Sequence, residues 1–389
     1  MSTPSRARRG RLITSSFLAL TLAELAYFVA IGAMIPTVPL FAAGQLGAGA
    51  VGAGFAIGVF SVTALVLRPF AGRLADRLGS GRLFLMGAVL FTVVAAAHLM
   101  VTAYWQLLIV RAALGVAEAL FFVAGMAALA GLAPPDRLGE AISYNSLGLY
   151  LGIALGPALG EWLLRSAGFQ AAWLGATGLG LVAALLALKV PVMRRETAGE
   201  ETPPLLPRQL VGPGLTFLAG LLGAAGFLAF AALHARSIGM DGAGWVLFGY
   251  GATVIGCRLL FARLADRIPA PALSTWALVW CSVGLATVGL VRTPVGLFVG
   301  AVLIAFGISF LTPAFYREMM ATLPPSQRGA AAATFSIAID LGLGGGPILY
   351  GLIAEPAGIP AAFTAAAVLA MVAAVLTARR AARRNVTVG

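Results

Sequence analysis

Apolar residues occur along the chain in long runs, and each run ends at charges, prolines or clusters of glycine. A helix needs roughly 20 apolar residues to cross a membrane. Twelve runs reach about that length, and short connections join them. They cover residues 12–42, 51–70, 83–100, 104–131, 140–164, 170–190, 213–235, 243–262, 272–291, 295–318, 329–354 and 359–378. The pattern predicts an all-α membrane protein with twelve transmembrane helices.

Composition agrees with this prediction and excludes an ordinary soluble domain. The chain is 60% hydrophobic and 10% charged, with a mean hydropathy of +0.97, whereas soluble domains are about 45–50% apolar and about 25% charged. The first apolar run is long and lacks a small-residue cleavage site, so we interpret it as the first helix and not as a signal peptide.

The net charge of +12 is distributed unevenly. When the twelve spans alternate across the membrane, 22 of the 26 basic residues, Arg68 among them, fall on one side. The other side has only Arg165, Arg236 and Arg292, and Arg111 lies inside a span. Basic loops are retained in the cytoplasm, which predicts a multi-pass protein of the plasma or inner membrane with both termini inside. We expect no nucleic-acid partner.

One constant spacing relates the two parts of the chain, and we call it the repeat offset. The segment GRLADRLG at 72–79 recurs as ARLADRIP at 262–269, and with the same spacing Gly156-Pro157 recurs as Gly346-Pro347 and Gly168 as Gly358. Six spans are an even number, so the two copies have the same orientation in the membrane. We predict two pseudo-symmetric six-helix bundles, 1–190 and 213–389, joined by a cytoplasmic linker at 191–212.

Three motifs resemble signatures of the major facilitator superfamily. Residues 72–79 are similar to its GxLaDrxGrr loop between helices 2 and 3, and Arg111 with Gly115 resembles its RxxxG pattern. Residues 152–160, GIALGPALG, are similar to the GxxxGPxxG segment typical of drug and metabolite:proton antiporters, although Glu161 stands where those proteins usually have another glycine. The resemblance covers essentially the whole chain and implies a transporter that works by alternating access.

The repeated charged segment is a candidate latch between the halves. An alternating transporter needs contacts at its cytoplasmic end that form in one state and break in the other. The arginines alone would serve to set topology, but the aspartates gain nothing from topology. We therefore predict a cytoplasmic latch formed by Gly72, Asp76, Arg77, Gly79, Asp266 and Arg267.

Glycine recurs every fourth residue in the fifth span, which places one small-residue stripe on one helix face. Such a stripe lets a neighbouring helix approach to backbone contact. It would serve either static packing or sliding and bending between the halves. The predicted packing and gating residues are Gly148, Gly152, Gly156, Pro157 and Gly160, with Gly346 and Pro347 in the second copy.

Three carboxylates, Glu24, Glu118 and Asp340, fall near the middle of spans 1, 4 and 11. Ionisable groups at that depth normally face a cavity or a partner and are functional candidates. Arg111 lies two helical turns before Glu118, so the two would share a cavity wall or form a buried structural ion pair. We assign proton coupling and substrate contact to these residues together with Tyr27, Tyr144 and Asn145.

The resemblance to drug and metabolite:proton antiporters, together with the three carboxylates, implies proton-coupled efflux of a small drug-like, cationic or amphipathic organic compound. A sugar or metabolite efflux permease or facilitator of the same superfamily is the alternative. The chain offers no nucleophile with a base and no phosphate-binding loop, and neither histidine has a second ligand nearby. We therefore expect no enzyme activity, no cofactor and no metal. The expected partners are the small-molecule substrate, protons and the lipid bilayer, and we expect a monomer.

Overall fold

The computed structural model describes residues 12–134, 137–193, 208–322 and 328–388, and within these ranges it contains helices and no strand. Eleven helices in the same ranges are long and apolar enough to cross a membrane. They are α1 (Ser15–Leu40), α2 (Gly49–Leu78), α3 (Ser80–Ala97), α4 (Tyr104–Leu132), α5 (Leu138–Ala187), α6 (Val211–Ser237), α7 (Gly244–Arg267), α8 (Ala270–Leu290), α9 (Pro294–Thr322), α10 (Arg328–Ala357) and α11 (Ile359–Val388).

Helix α5 contains two of the predicted spans. Its backbone is non-helical at Ala167 and at Gly168, which has a φ of 77°. Glycine adopts this left-handed conformation without the steric cost of a Cβ. The chain reverses here, because Leu163 Cδ1, before the break, lies 2.5 Å from the position that a Cβ would take on Gly175, after it. The predicted twelve-helix fold is therefore confirmed, with two spans on either side of one break.

The helices repeat with the spacing seen in the sequence. Helices α4 and α9 begin and end one repeat offset apart, and α5 and α10 begin one repeat offset apart. Gly168 and Gly358, which correspond in the two copies, both have a positive φ. The duplicated sequence thus forms a duplicated structure, with a glycine reversal after the fifth span of each copy.

The bundle has a basic end and an opposite end. The basic end contains the α2–α3 connection at Gly79, and the opposite end contains the α10–α11 turn at Gly358. Most buried apolar residues of the first copy form one cluster around Tyr27 and Phe121. Those of the second copy form another cluster around Phe227, which also includes Ala53 of α2. The two copies are therefore in direct contact toward the opposite end.

Small residues allow α2 and α10 to pack closely across the two copies. A Cβ on Gly54 would collide with the carbonyl of Pro347, and one on Gly351 would lie 2.6 Å from the carbonyl oxygen of Ala50. On the other side of the molecule, a Cβ on Gly251 of α7 would collide with Ala154 of α5. Such contacts need residues without bulky side chains, and they close the opposite end of the bundle.

The predicted end of the second span at residue 70 was wrong. Helix α2 continues through the charged segment to Leu78, and Gly79, with a φ of 89°, is the single residue between α2 and α3. Charged side chains do not end a helix once it leaves the apolar layer, because its backbone hydrogen bonds continue. Gly72 and Asp76 therefore lie on a helix and not in a loop.

The glycine stripe of α5 packs against α1 of the same copy. A Cβ on Gly156 would lie 2.6 Å from Gly32 Cα, one on Gly152 would collide with Phe28, and one on Gly160 with the carbonyl of Ala33. These positions correct the interpretation of the stripe as a surface for sliding between halves, because both helices belong to one copy. In the second copy Gly346 packs in the same way on α6, where a Cβ would collide with the carbonyl of Leu222.

Candidate functional site

The carboxylate of Glu24 lies between α1, α4 and α5. It is 6% exposed and accepts a hydrogen bond of 2.6 Å from Asn145 Nδ2. Asn145 in turn accepts a hydrogen bond from Thr21 Oγ1 at 3.2 Å, and Glu24 Oε1 lies 2.7 Å from the position of a Cβ on Gly125. The absence of a side chain at Gly125 leaves room for the carboxylate, so Glu24 is buried and is held by one amide.

Glu118 lies on α4, facing α1. Its side chain is 7% exposed, and its Oε2 atom has no hydrogen-bond partner among the described residues. The hydroxyl of Tyr27 lies close to this carboxylate but does not reach hydrogen-bond geometry. The Tyr27 ring stacks on Phe121 with centroids 3.9 Å apart. A buried carboxylate with an unpaired oxygen is costly, which makes Glu118 the least satisfied charge in this region.

Asp340 forms an ion pair across the two copies. Arg68 Nη2 of α2 donates to Asp340 Oδ1 at 2.9 Å, and Arg68 Nε lies 2.9 Å from Oδ2. The guanidinium also lies over the ring of Phe122 on α4, 4.7 Å from its centroid. Asp340 is 4% exposed. One charge-assisted hydrogen bond and a second close contact that lacks hydrogen-bond geometry thus join α2 to α10 in this state.

These groups form one central polar cluster, defined as Glu24, Asn145, Glu118, Arg68 and Asp340. Glu118 interacts electrostatically with the charges of Arg68 and Asp340. Glu24 interacts in the same way with Glu118. The cluster is supplied by α1, α2, α4, α5 and α10, so it includes both copies of the repeat. All three carboxylates are buried and point away from the lipid-facing surface.

Two of the predicted residues lie outside the central polar cluster. Arg111 donates through Nε to the Ala56 carbonyl at 2.8 Å and lies over Phe60, 4.9 Å from the ring centroid. Among the ion pairs of the described residues, none joins it to Glu118, which corrects the interpretation of the two as a buried structural pair. Tyr144 is 45% exposed, because it lies about 100° around the helix from Asn145.

Arg68 is a member of the cluster that the sequence pattern did not indicate, because it falls among the basic residues at the cytoplasmic ends of the spans. The structure places Arg68 inside α2, well before the helix ends at Leu78. One signal could have found it, because Arg258 stands one repeat offset later, in α7. An ionisable residue within a span is a functional candidate by default.

The residues of the proposed latch make few contacts in this state. Asp76 is half-buried and has no ion pair or hydrogen bond with another residue that the structure describes, and Arg77 is exposed. Arg267 is exposed as well, and the side chain of Asp266 lies outside the described part of the structure. Near Gly79, Ser80 N donates to the Met193 carbonyl at 2.9 Å. The latch therefore stays a prediction.

The two histidines are packed against aromatic rings near the opposite end. His98 lies 4.9 Å from the ring of Trp173, and His234 lies 5.3 Å from the ring of Phe363. Trp173 and Phe363 are related by the repeat offset. Among the described residues, no three His, Cys, Asp or Glu side chains are grouped as metal ligands would be.

Solved structures with similar folds are transporters. The chain superposes on a peptide transporter, POT, crystallised with sulfate (TM-score 0.81, 14% identity, 98% of this chain and 97% of the other). It also superposes on a bacterial homologue of the human lysosomal transporter Spinster in an inward-facing, occupied conformation (TM-score 0.78, 15% identity, 93% and 95%). The nucleoside transporter NupG is a third (TM-score 0.74, 16% identity, 95% and 99%). At these identities the similarity shows the fold alone.

Sequence relatives and the family profile are more specific. The chain is 29% identical over 369 residues to the uncharacterized MFS-type transporter YhhS of Escherichia coli K12, covering 92% of this chain and 90% of that protein. It is 30% identical over 347 residues to an uncharacterized MFS-type transporter of Burkholderia mallei SAVP1, covering 86% and 84%. Residues 20–241 and 214–387 each match the Major Facilitator Superfamily profile. The chain is a multi-pass membrane transporter that belongs to the major facilitator superfamily.

Proposed function

We propose that this transporter exports a small cationic or amphipathic organic compound in exchange for protons. The observation that supports the proposal is the central polar cluster, in which three carboxylates are buried and one of them, Asp340, pairs with Arg68 across the two copies. A carboxyl group in a water-poor site binds a proton more readily than it does in water. Such a group can take up a proton on one side of the membrane and release it on the other.

The charge balance of the cluster supports a cationic substrate. Three carboxylates and one guanidinium leave two negative charges when all are ionised, and Arg111 is bonded elsewhere. A positively charged substrate or bound protons would neutralise that excess, whereas an anionic substrate would add to it. Phe122, under the guanidinium of Arg68, adds an aromatic face that suits an amphipathic molecule.

Transport into proteoliposomes with an imposed pH gradient tests the coupling. We expect a fluorescent lipophilic cation to accumulate against its gradient in vesicles that contain the wild-type protein. Glu118→Gln should abolish the gradient-driven component but leave exchange of the cation across the membrane, because Glu118 has an unpaired buried oxygen and no ion pair among the described residues. Glu24→Gln and Asp340→Asn should each reduce the gradient-driven accumulation of the cation.

Glu140→Gln provides a matched control, because Glu140 is an exposed residue at the start of α5 that pairs with Arg137. It should couple like the wild type. Normal coupling in all three cluster variants would refute the site. Uptake that is insensitive to the pH gradient in the wild type, for cations and sugars alike, would indicate a facilitator instead.

The Asp76 carboxylate gives a separate prediction. We propose that it pairs with the other copy when the basic end closes, since it has no partner among the described residues in the present state. Asp76→Asn should strongly reduce transport while the protein purifies in normal yield and elutes as a single species. Unchanged transport would remove Asp76 from the mechanism, and Arg73→Gln tests whether any charge change at this end has the same effect.

A further inference from the structure

Two helices at the opposite end begin without a side-chain cap of their own. The N-cap residue of α2 is Ala48 and that of α7 is Ala243, and neither can accept a hydrogen bond through its side chain. Alanine is a poor N-cap because it leaves the free N–H groups of the first helical turn unsatisfied. Each of these helices therefore needs an acceptor from elsewhere.

In both cases the acceptor is a glutamate from the other copy of the repeat. Glu161 of α5 accepts a hydrogen bond of 2.5 Å from the backbone N–H of Ala243. Glu355 of α10 accepts hydrogen bonds from the backbone N–H groups of Ala50 and Val51, at 2.8 and 3.1 Å. Because a helix N-terminus carries partial positive charge, a carboxylate oxygen is a suitable acceptor for these N–H groups.

Glycines make room for both carboxylates. A Cβ on Gly49 would lie 2.8 Å from both carboxylate oxygens of Glu355, and a Cβ on Gly242 would collide with Glu161 Oε1. The two glutamates are not copies of each other, because the repeat places Gly351 at the position of Glu161 and Arg165 at that of Glu355. The same kind of contact thus occurs twice, and the two glutamates that form it do not occupy corresponding positions in the two copies.

We propose that Glu161 and Glu355 are the gating residues that hold the opposite end closed. Each glutamate joins one copy to the other through a helix N-terminus, so separation of the copies at this end must break both contacts. The contacts therefore stabilise only the state that is closed at the opposite end. This inference goes beyond proton-coupled export, because it concerns the equilibrium between the two states whatever the substrate is.

The two contacts differ in their surroundings. Glu161 is 2% exposed and has an Oε2 atom without a hydrogen-bond partner among the described residues, whereas Glu355 is exposed. Charge–dipole contacts are stronger when they are partly buried than when they are exposed to water. Loss of the charge on Glu161 should therefore shift the equilibrium further than loss of the charge on Glu355.

Labelling of a buried cysteine measures this equilibrium directly. Ala53→Cys, in a background with Cys257→Ala and Cys281→Ala, introduces a thiol at a fully buried position of α2 that packs against the second copy. A membrane-impermeant maleimide added on the side of the opposite end reacts only when that end opens. Thr102→Cys, an exposed position at the same end, gives the reference rate. The measurement needs neither substrate nor a pH gradient, so it stands apart from the test of proton coupling.

We expect Glu161→Gln to raise the labelling rate of this cysteine about two- to thirtyfold, as the range of charge–dipole energies implies. Glu355→Gln should raise it in the same direction by a smaller factor. Asp241→Asn is the matched control, because the ion pair of Asp241 with Arg165, at 3.7 Å, also joins the two copies but is exposed. Exposed ion pairs contribute little, so this variant should change the rate far less than Glu161→Gln.

The proposal would be overturned if both glutamine variants were labelled at the same rate as the Ala53→Cys protein that keeps both glutamates. So would an equal increase in Asp241→Asn, because the effect would then reflect any loss of charge at this end. If Glu161→Gln does not yield folded protein, Glu355→Gln decides the question, since its exposed side chain can be replaced without affecting the core.

Discussion

Replacing Arg68 by methionine should abolish transport and lower the free energy of unfolding by about 3–5 kcal/mol, the usual cost of removing one member of a buried ion pair. The change leaves Asp340 without its only described ion-pair partner at 4% exposure. It also removes the guanidinium from Phe122 and from the neighbourhood of Glu118. Transport is measured in proteoliposomes, and stability by SDS titration of the detergent-solubilised protein.

A double variant separates structure from function at this pair. Replacing a buried ion pair by apolar residues of similar volume is often neutral for stability, so Arg68→Met combined with Asp340→Leu should recover most of the lost stability. If the pair acts in transport, the double variant stays inactive. Recovered transport would show that the pair is only structural. Glu140→Gln, at an exposed pair, should leave the stability close to that of the wild type, because exposed ion pairs contribute little.

Replacing Gly160 by valine should lower the free energy of unfolding by about 3 kcal/mol, at the upper end of the usual cost of overpacking. Gly160 lies where α5 meets α1, and even a Cβ would collide with the carbonyl of Ala33. The obstacle is backbone, which cannot rotate away as a side chain can. The two helices would have to separate along the contact that also positions Glu24 and Asn145.

Gly178 provides the control within the same helix. A Cβ at this exposed position meets no atom within 4 Å, and alanine is a better helix former than glycine by up to about 1 kcal/mol. Gly178→Ala should therefore be neutral or slightly stabilising in the same SDS titration. A loss of stability in Gly178→Ala equal to that in Gly160→Val would contradict the role assigned to the α1–α5 contact.

Much of the fold could be predicted because its determinants are local. Each span must satisfy its backbone hydrogen bonds within the membrane, so an apolar run of sufficient length specifies a helix. The repeat offset then specified the duplication, down to the glycine reversals at Gly168 and Gly358. The predicted end of the second span was wrong because an apolar run and a helix need not end at the same residue. Helix α2 continues into water as far as Leu78.

The candidate site could be predicted only in part. Depth in a span identified Glu24, Glu118 and Asp340 as unusual, and the structure places all three in buried positions. Depth did not identify their partners. Arg68 was hidden near a group of basic residues, and Arg111, which is buried, bonds to the backbone of α2 instead of to a carboxylate.

The glutamates at the opposite end show the same limit. In the sequence, Glu161 stands out only as a departure from a glycine pattern. The residues on either side of it do not predict a contact with the N-terminus of α7. Glu355 and the first turn of α2 belong to different copies and lie far apart in the sequence. These contacts depend on how the two bundles pack against each other. The hydrophobic periodicity of the sequence contains no information on that packing.

The sequence by itself determined the twelve spans, their duplication and the unfavourable depth of three carboxylates, because hydrophobicity and helix length act on neighbouring residues. Only the tertiary structure decided which groups meet: Arg68 with Asp340, Glu24 with Asn145, and Glu161 and Glu355 with the helix ends of the other copy. The physical reason is that the partner of a charged side chain in a membrane comes from a helix that packs beside it. Which helix that is depends on the tertiary packing.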